Sequence, residues 1–218
     1  MIQWVYEGSA QVFDQLVVAT DDRRIYDAVE AFNGRVVMTS SSHQTGTERC
    51  AEALKIMQEK SGITYTHVIN IQGDEPLIKK EQLLLLKECL MDPVVEIATL
   101  IRKASDPADI QNPNMVKVVT DQASNALYFS RSPIPFIRDS HQGWTRGSSY
   151  FVHLGLYGFR ADILSRLVTL PPTPLESAES LEQLRWMEHG FTILTRESRF
   201  QTMGVDTPED LEKLNSML

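Results

Sequence analysis

Only two cysteines, Cys50 and Cys89, occur among the 218 residues, and both lie in stretches with helical periodicity. Two are too few for a disulfide framework or a zinc site, and they point to a reducing compartment. Basic charge is also short: Lys plus Arg is 21 against 29 Asp plus Glu, a net charge of −8. Nothing here drives wrapping of a nucleic-acid backbone or adhesion to an acidic membrane. The longest apolar runs, such as Val94 to Ile101, are too short to span a bilayer. Met1 to Glu7 has no basic segment followed by an apolar one, so no secretory signal is expected there. Three signatures are missing as well: G-x-G-x-x-G after a strand, G-x-x-x-x-G-K-[ST], and G-x-S-x-G. Dinucleotide oxidoreductases, P-loop NTPases and elbow hydrolases lose their main support. No repeat, low-complexity tract or linker appears, so residues 1–218 are expected to form one soluble, cytoplasmic domain.

What is present is alternation. Gln15 to Thr20 is a short apolar, β-branched run, and Asp21-Asp22 then caps a helix carrying Ile25, Val29 and Phe32. Gly34 closes that helix and Arg35 to Thr39 reads as a strand. Thr45 or Thr47 opens the next helix, Thr66 to Gln72 reads as a strand, Lys79 to Leu90 as a helix and Glu96 to Arg102 as a strand. Buried strands alternating with helices predict a mostly parallel sheet covered on both faces. Met115 to Thr120, Ala126 to Ser130 and Val152 to Arg160 predict antiparallel or mixed strands, with a projecting arm through Arg138 to Gly147. Ser177 to His189 predicts an amphipathic helix, and Thr207-Pro208 opens the last one.

Several segments could carry chemistry. In Asn70-Ile71-Gln72-Gly73-Asp74-Glu75-Pro76, a strand delivers Asp74 to the carboxyl edge of the sheet, where open α/β sheets bind ligands. A carboxylate there suits Mg²⁺, and the same residues also suit an ordinary turn. His43 to Arg49 places Gly46 between two threonines at a helix start. That pattern offers backbone N–H groups to an anion or base edge, or else a capping box of Thr45 with Glu48. Val152 to Phe159 holds His153 and Tyr157 beside two glycines, which fits either a ligand approach or a bulged strand with a core-edge histidine. Leu181 to Arg185 reads as a solvated helix face, and Asp206 as a cap or a cation ligand.

Taken in order, Val17 to Asp22, His43 to Arg49, Asn70 to Pro76, Asn112 to Val119, Ala126 to Arg131, His153 to Gly158, Leu181 to Arg185 and Gly204 to Glu212 resemble the 3-deoxy-manno-octulosonate (Kdo) cytidylyltransferase family. The resemblance implies an α/β, Rossmann-like three-layer sandwich of the nucleotide-diphospho-sugar transferase type, with a mixed sheet and a projecting β arm. It implies transfer of CMP from CTP to Kdo for lipopolysaccharide biosynthesis, with Mg²⁺, in a cytoplasmic homodimer. By the same resemblance Asp74 and Asp206 hold Mg²⁺, while Thr45, Gly46, Arg49 and Gln72 surround the cytidine. Arg131 takes the sugar carboxylate, and His153, Tyr157, Glu182 and Gln183 take the sugar hydroxyls. The alternatives are a non-catalytic nucleotide- or sugar-binding remnant of the fold, or a sister CMP-sugar synthetase.

One departure from the family pattern stands out. Family members begin with a strand and a basic loop that cradles the triphosphate, whereas Met1-Ile2 aligns with the helix after that loop. An N-terminally incomplete domain, with an unpaired edge on Gln15 to Thr20 or on Thr66 to Gln72 and with little or no activity, is therefore expected.

Overall fold

A computed structural model describes residues 1–104, 106–138, 150–200, 204–205, 212 and 214. The projecting arm beyond residue 138 and the expected start of the final helix at Thr207-Pro208 fall outside the described residues. The chain opens with α1 (Ile2–Ala10), β1 (Val18–Thr20), α2 (Arg23–Ala31) and β2 (Val36–Met38). Asp22 caps α2 by accepting from Arg24 N. The left-handed position after that helix falls on Asn33, with φ 59°, one residue before Gly34. Next come α3 (Gly46–Ser61), β3 (His67–Asn70), α4 (Lys80–Cys89) and β4 (Ile97–Lys103). Thr45 is the cap of α3, accepting from Glu48 N at 3.2 Å, and Gly62 ends it at φ 69°.

The second half contains α5 (Pro107–Gln111), β5 (Lys117–Thr120), β6 (Ala126–Ser130) and β7 (Phe151–Arg160). It ends, among the described residues, with α6 (Ala161–Leu167), α7 (Pro174–Glu179), α8 (Glu182–Glu188) and β8 (Ile193–Glu197). The helix expected over Ser177 to His189 is two helices, because Ser180 turns left-handed at φ 51°. The apolar spacing runs across that break and conceals it.

The main sheet has six strands in the order β6-β5-β7-β4-β8, with β3 also pairing β7. Strands β3, β4 and β5 are antiparallel to β7, and β8 is parallel to β4. Four strands thus point one way, but β7 is inserted between β3 and β4. The mostly parallel sheet gives way to a mixed one for that reason. Along β4, Ile97 and Ile101 enter the core beside Phe129, Phe159, Leu184 and Trp186. Ala98 and Leu100 enter a second core with Leu83, Leu86 and Leu156 on the opposite face. Period-two alternation with both faces apolar produces three layers.

Opposite β4, the register of β7 jumps from Thr99↔Tyr157 to Leu100↔Leu154. Gly155 and Leu156 form the bulge, which re-aims the residues on either side of it. Further along, a β-carbon on Gly158 would lie 2.7 Å from Leu90 Cδ1, so only glycine lets the α4 layer pack this closely.

Strands β1 and β2 form a separate parallel pair. Among the described residues, β1 bonds only β2 and β3 bonds only β7. A cavity of about 620 Å³ lies between their open edges, lined by Leu16 to Ala19 and His67 to Gln72 and by residues of α1 and α3.

Candidate active site

The first turn of α3 and the end of β3 meet at Gly46. A β-carbon there would lie 3.6 Å from Asn70 Nδ2 and 3.7 Å from Gln72 Nε2, so a backbone edge faces two side-chain amides. Gly46, Arg49 and Gln72 all line the cavity. Arg49 bridges the ends of β1 and β2: it donates to Thr39 Oγ1 at 2.7 Å and pairs with Asp21 at 3.2 Å. Beyond β3 the chain turns, and Asp74 is half-buried. The Asp74 carbonyl accepts from Val205 N at 2.9 Å. Asp206, the next residue, lies outside the described residues. Among the described residues no cluster of three or more His, Cys, Asp or Glu forms a metal site.

Strand β7 supplies the second wall. His153 Nε2 lies 2.8 Å from Thr99 Oγ1, whose own hydrogen goes to the Leu156 carbonyl at 2.6 Å. Nε2 is therefore the donor, and Nδ1 is the ring's acceptor. Burial pushes this imidazole down to about 3. Tyr157 packs on His153 at 5.1 Å between ring centroids, and edge-on against Trp186 at 5.1 Å. Its hydroxyl is buried without a hydrogen-bond partner. Desolvation holds the phenol well above its usual range, and the charge of Glu182 adds to this. Gly155, in the bulge, approaches Gln72 and Glu75.

Helix α8 closes the ring. Glu182 accepts from Thr45 Oγ1 at 3.0 Å and from Thr47 Oγ1 at 2.7 Å. Burial raises its carboxyl, partly offset by the two hydroxyls. Gln183 is buried at 6% exposure. Arg131 reaches α8 only through its approach: the guanidinium donates to the backbone carbonyls of Glu179, Ser180 and Pro113 at 2.7, 3.2 and 3.0 Å.

The structure thus joins Glu182 to Thr45 beside Gly46 and Gln72, and packs Tyr157 on His153 within range of the Glu182 charge. Asp74, Arg131, His153, Tyr157 and Glu182 are not among the residues lining the cavity. Sequence reasoning missed Thr47 and Asn70, although each sits inside a segment already singled out. It also missed the part-buried pair of Arg185 with Glu176, 2.7 Å apart at Nε. No local pattern announces that pair, since it joins two helices across the break at Ser180.

A mixed sheet in a three-layer sandwich, with a helix start packed on the carboxyl end of a strand, is an α/β ligand-binding fold, and its relatives place it among the nucleotidyltransferases. The chain matches the Cytidylyltransferase family over residues 1–197. It is 50% identical to the 3-deoxy-manno-octulosonate cytidylyltransferase of Phocaeicola vulgatus, covering 100% of this chain and 86% of that protein. It is 48% identical to the protein of the same name from Bacteroides thetaiotaomicron, covering 100% of this chain and 87% of that protein. A solved structure of CMP:2-keto-3-deoxy-manno-octonic acid synthetase complexed with CTP superposes with a TM-score of 0.88 at 40% identity, covering 99% of this chain and 86% of the other. At 15% identity, 4-diphosphocytidyl-2C-methyl-D-erythritol synthase from Anaerococcus prevotii shares the fold alone, with a TM-score of 0.59 over 99% of this chain and 87% of the other. The chain belongs to the 3-deoxy-manno-octulosonate cytidylyltransferase family.

Proposed function

We propose that this chain transfers CMP from CTP to 3-deoxy-manno-octulosonate, releasing pyrophosphate, on the cytoplasmic route to lipopolysaccharide and as a homodimer. The observation that carries the reading is the contact between the two walls. The Gly46–Gln72 side meets the Tyr157–Glu182 side through Thr45 and Thr47. Such a junction suits a reaction that must hold a nucleotide and a sugar together.

In this reaction the anomeric hydroxyl attacks the α-phosphorus, the bond to the pyrophosphate oxygen breaks, and the hydroxyl proton is lost. Positioning and charge neutralisation dominate such transfers. The Asn70 and Gln72 amides, with the backbone at Gly46, offer donors and acceptors to the cytosine edge and ribose. Arg49, tied to Asp21 and Thr39, stiffens that wall. His153 Nδ1 and the Tyr157 hydroxyl would serve the sugar hydroxyls as acceptor and donor, with Glu182 and Gln183 contributed from α8. Three of the five Arg131 donors are engaged on carbonyls, which leaves two for the sugar carboxylate.

A carboxylate just beyond the carboxyl end of β3, as Asp74 provides, suits a hard cation that fills the rest of its shell with water and phosphate. Asp74, with Asp206 as its partner, would hold Mg²⁺, and the Val205-to-Asp74 backbone bond supports that pairing. When bound, Mg²⁺ supplies neutralisation of phosphate charge and a lowered pKa for the attacking hydroxyl.

The test is pyrophosphate release from CTP, Kdo and Mg²⁺. We expect release that depends on Kdo, with Asp74→Asn lowering it by at least about a hundredfold. Nucleotide binding with no Kdo-dependent release by this chain or by an N-terminally extended one would favour the non-catalytic remnant instead.

A further inference from the structure

Glu182 and Thr47 are separated by 135 positions in the chain and joined by a 2.7 Å hydrogen bond. We propose that Glu182 is a positioning residue for the nucleotide wall: its carboxylate clamps the first turn of α3 through Thr45 and Thr47 and so couples nucleotide binding to the sugar wall. The inference rests on the proposed function for its substrates, and on the geometry alone for the clamp.

The geometry is specific. Each carboxylate oxygen of Glu182 takes a different hydroxyl, Oε1 that of Thr45 and Oε2 that of Thr47. Thr45 Oγ1 in turn accepts the Glu48 amide hydrogen as the cap of α3. The same hydroxyl therefore terminates the helix and ties it to α8. Between the two threonines lies Gly46, the residue facing Asn70 and Gln72. Thr47 is buried at 3% exposure, so its hydroxyl has little access to solvent as a replacement partner. Removing Glu182 leaves it without its acceptor and frees the turn that carries Gly46.

The carboxylate itself is held from behind. Burial disfavours the ionised form of Glu182; the two threonine hydroxyls and, less strongly, Arg185 one turn along α8, itself bonded to Glu176, work the other way. A sugar hydroxyl reaching Glu182 would meet a carboxylate already accepting two hydrogen bonds from α3. Sugar and nucleotide would then sense one another through this one group.

Two measurements test the clamp and its consequence separately. Amide hydrogen exchange, with no substrate present, should show faster exchange at Glu48 in Glu182→Ala and Glu182→Gln, with β3 amides such as Ile69 unchanged. Calorimetry with CTP and Mg²⁺ should show Glu182→Ala and Thr47→Val each weakening CTP by about tenfold, the scale of a lost hydrogen bond to a charged group. The double variant should be no weaker than the worse single one, because both remove the same link. Unchanged protection at Glu48 would overturn the clamp whatever the chain binds. Additive losses, or a loss of Kdo affinity with CTP unaffected, would overturn the coupling. Altered exchange in a parent chain that binds no CTP even when extended N-terminally would support the clamp and sink the functional reading.

Discussion

Arg185 is 8% exposed and meets Glu176 with two guanidinium nitrogens. The guanidinium holds the Glu176 carboxyl below its ordinary value. Stability from this pair is present above the ordinary glutamate pKa and fades as pH falls through the lowered one. Removing one partner strands a charge in a desolvated setting, so Glu176→Ala should cost about 3 kcal/mol in denaturant unfolding. A cost near zero would mean that solvent reaches the pair. His153 works in the opposite sense from the usual histidine. Below its ordinary value of 6.5 an unfolded chain takes up a proton, whereas the buried imidazole stays neutral down to about 3. Stability should therefore decline as pH drops across that window, and His153→Gln should flatten the decline in melting temperature. An unchanged slope would show that the folded ring accepts the proton.

At the scale of elements, β7 organises the molecule: it pairs with β3, β4 and β5 and carries the bulge that sets His153 and Tyr157. Its neighbour α8 owes its separate start to Ser180, held left-handed at φ 51°. A side chain with a β-carbon is disfavoured there by about 1 kcal/mol. Ser180→Gly should accordingly raise the melting temperature by a few degrees, about 2–4 °C for a chain of this size. A fall instead would show that the Ser180 side chain contributes more than its backbone strain. Elements set by local chemistry were legible in the sequence: Asp22 and Thr45 cap helices as their spacing suggests, and the β-branched run at β3 is a strand. The break at Ser180 was not, because apolar spacing continues across it. Nor was the insertion of β7 between β3 and β4, since strand order depends on partners far away in sequence. The site follows the same rule. Thr45 with Gly46, and Gln72, come from two compact motifs, whereas the contact of Glu182 with α3 and the carbonyl partners of Arg131 arise only on folding.

Across the whole molecule, the chief irregularity is the opening between β1 and β3. Each presents an edge without a strand partner among the described residues, and an apolar cavity of about 620 Å³ separates them. Such edges invite pairing with another chain. Among the described residues two cations line the cavity, and neither is fixed on a triphosphate: Arg49 pairs with Asp21, and Lys87 Nζ lies 6.0 Å over the Phe13 ring. The curated relatives run longer, with this chain spanning 86% and 87% of the two from Phocaeicola and Bacteroides. A strand followed by a basic loop, set between β1 and β3, would answer both deficits on physical grounds. As a strand it would bond β1 and β3 and fill the cavity; as a loop it would set fixed positive charge against the phosphates. We therefore expect a chain extended ahead of Ile2 by such a segment to release pyrophosphate at least about a hundredfold faster than residues 1–218 alone. Its β3 amides, at the edge now facing the cavity, should also exchange more slowly, because paired backbone groups open less often than free ones. The two effects separate strand from loop. An extension with its basic residues changed to alanine should keep the added protection and lose the rate. Equal turnover by the short and extended chains would show that charge from elsewhere serves the phosphates and that the open edge is no defect of the active fold.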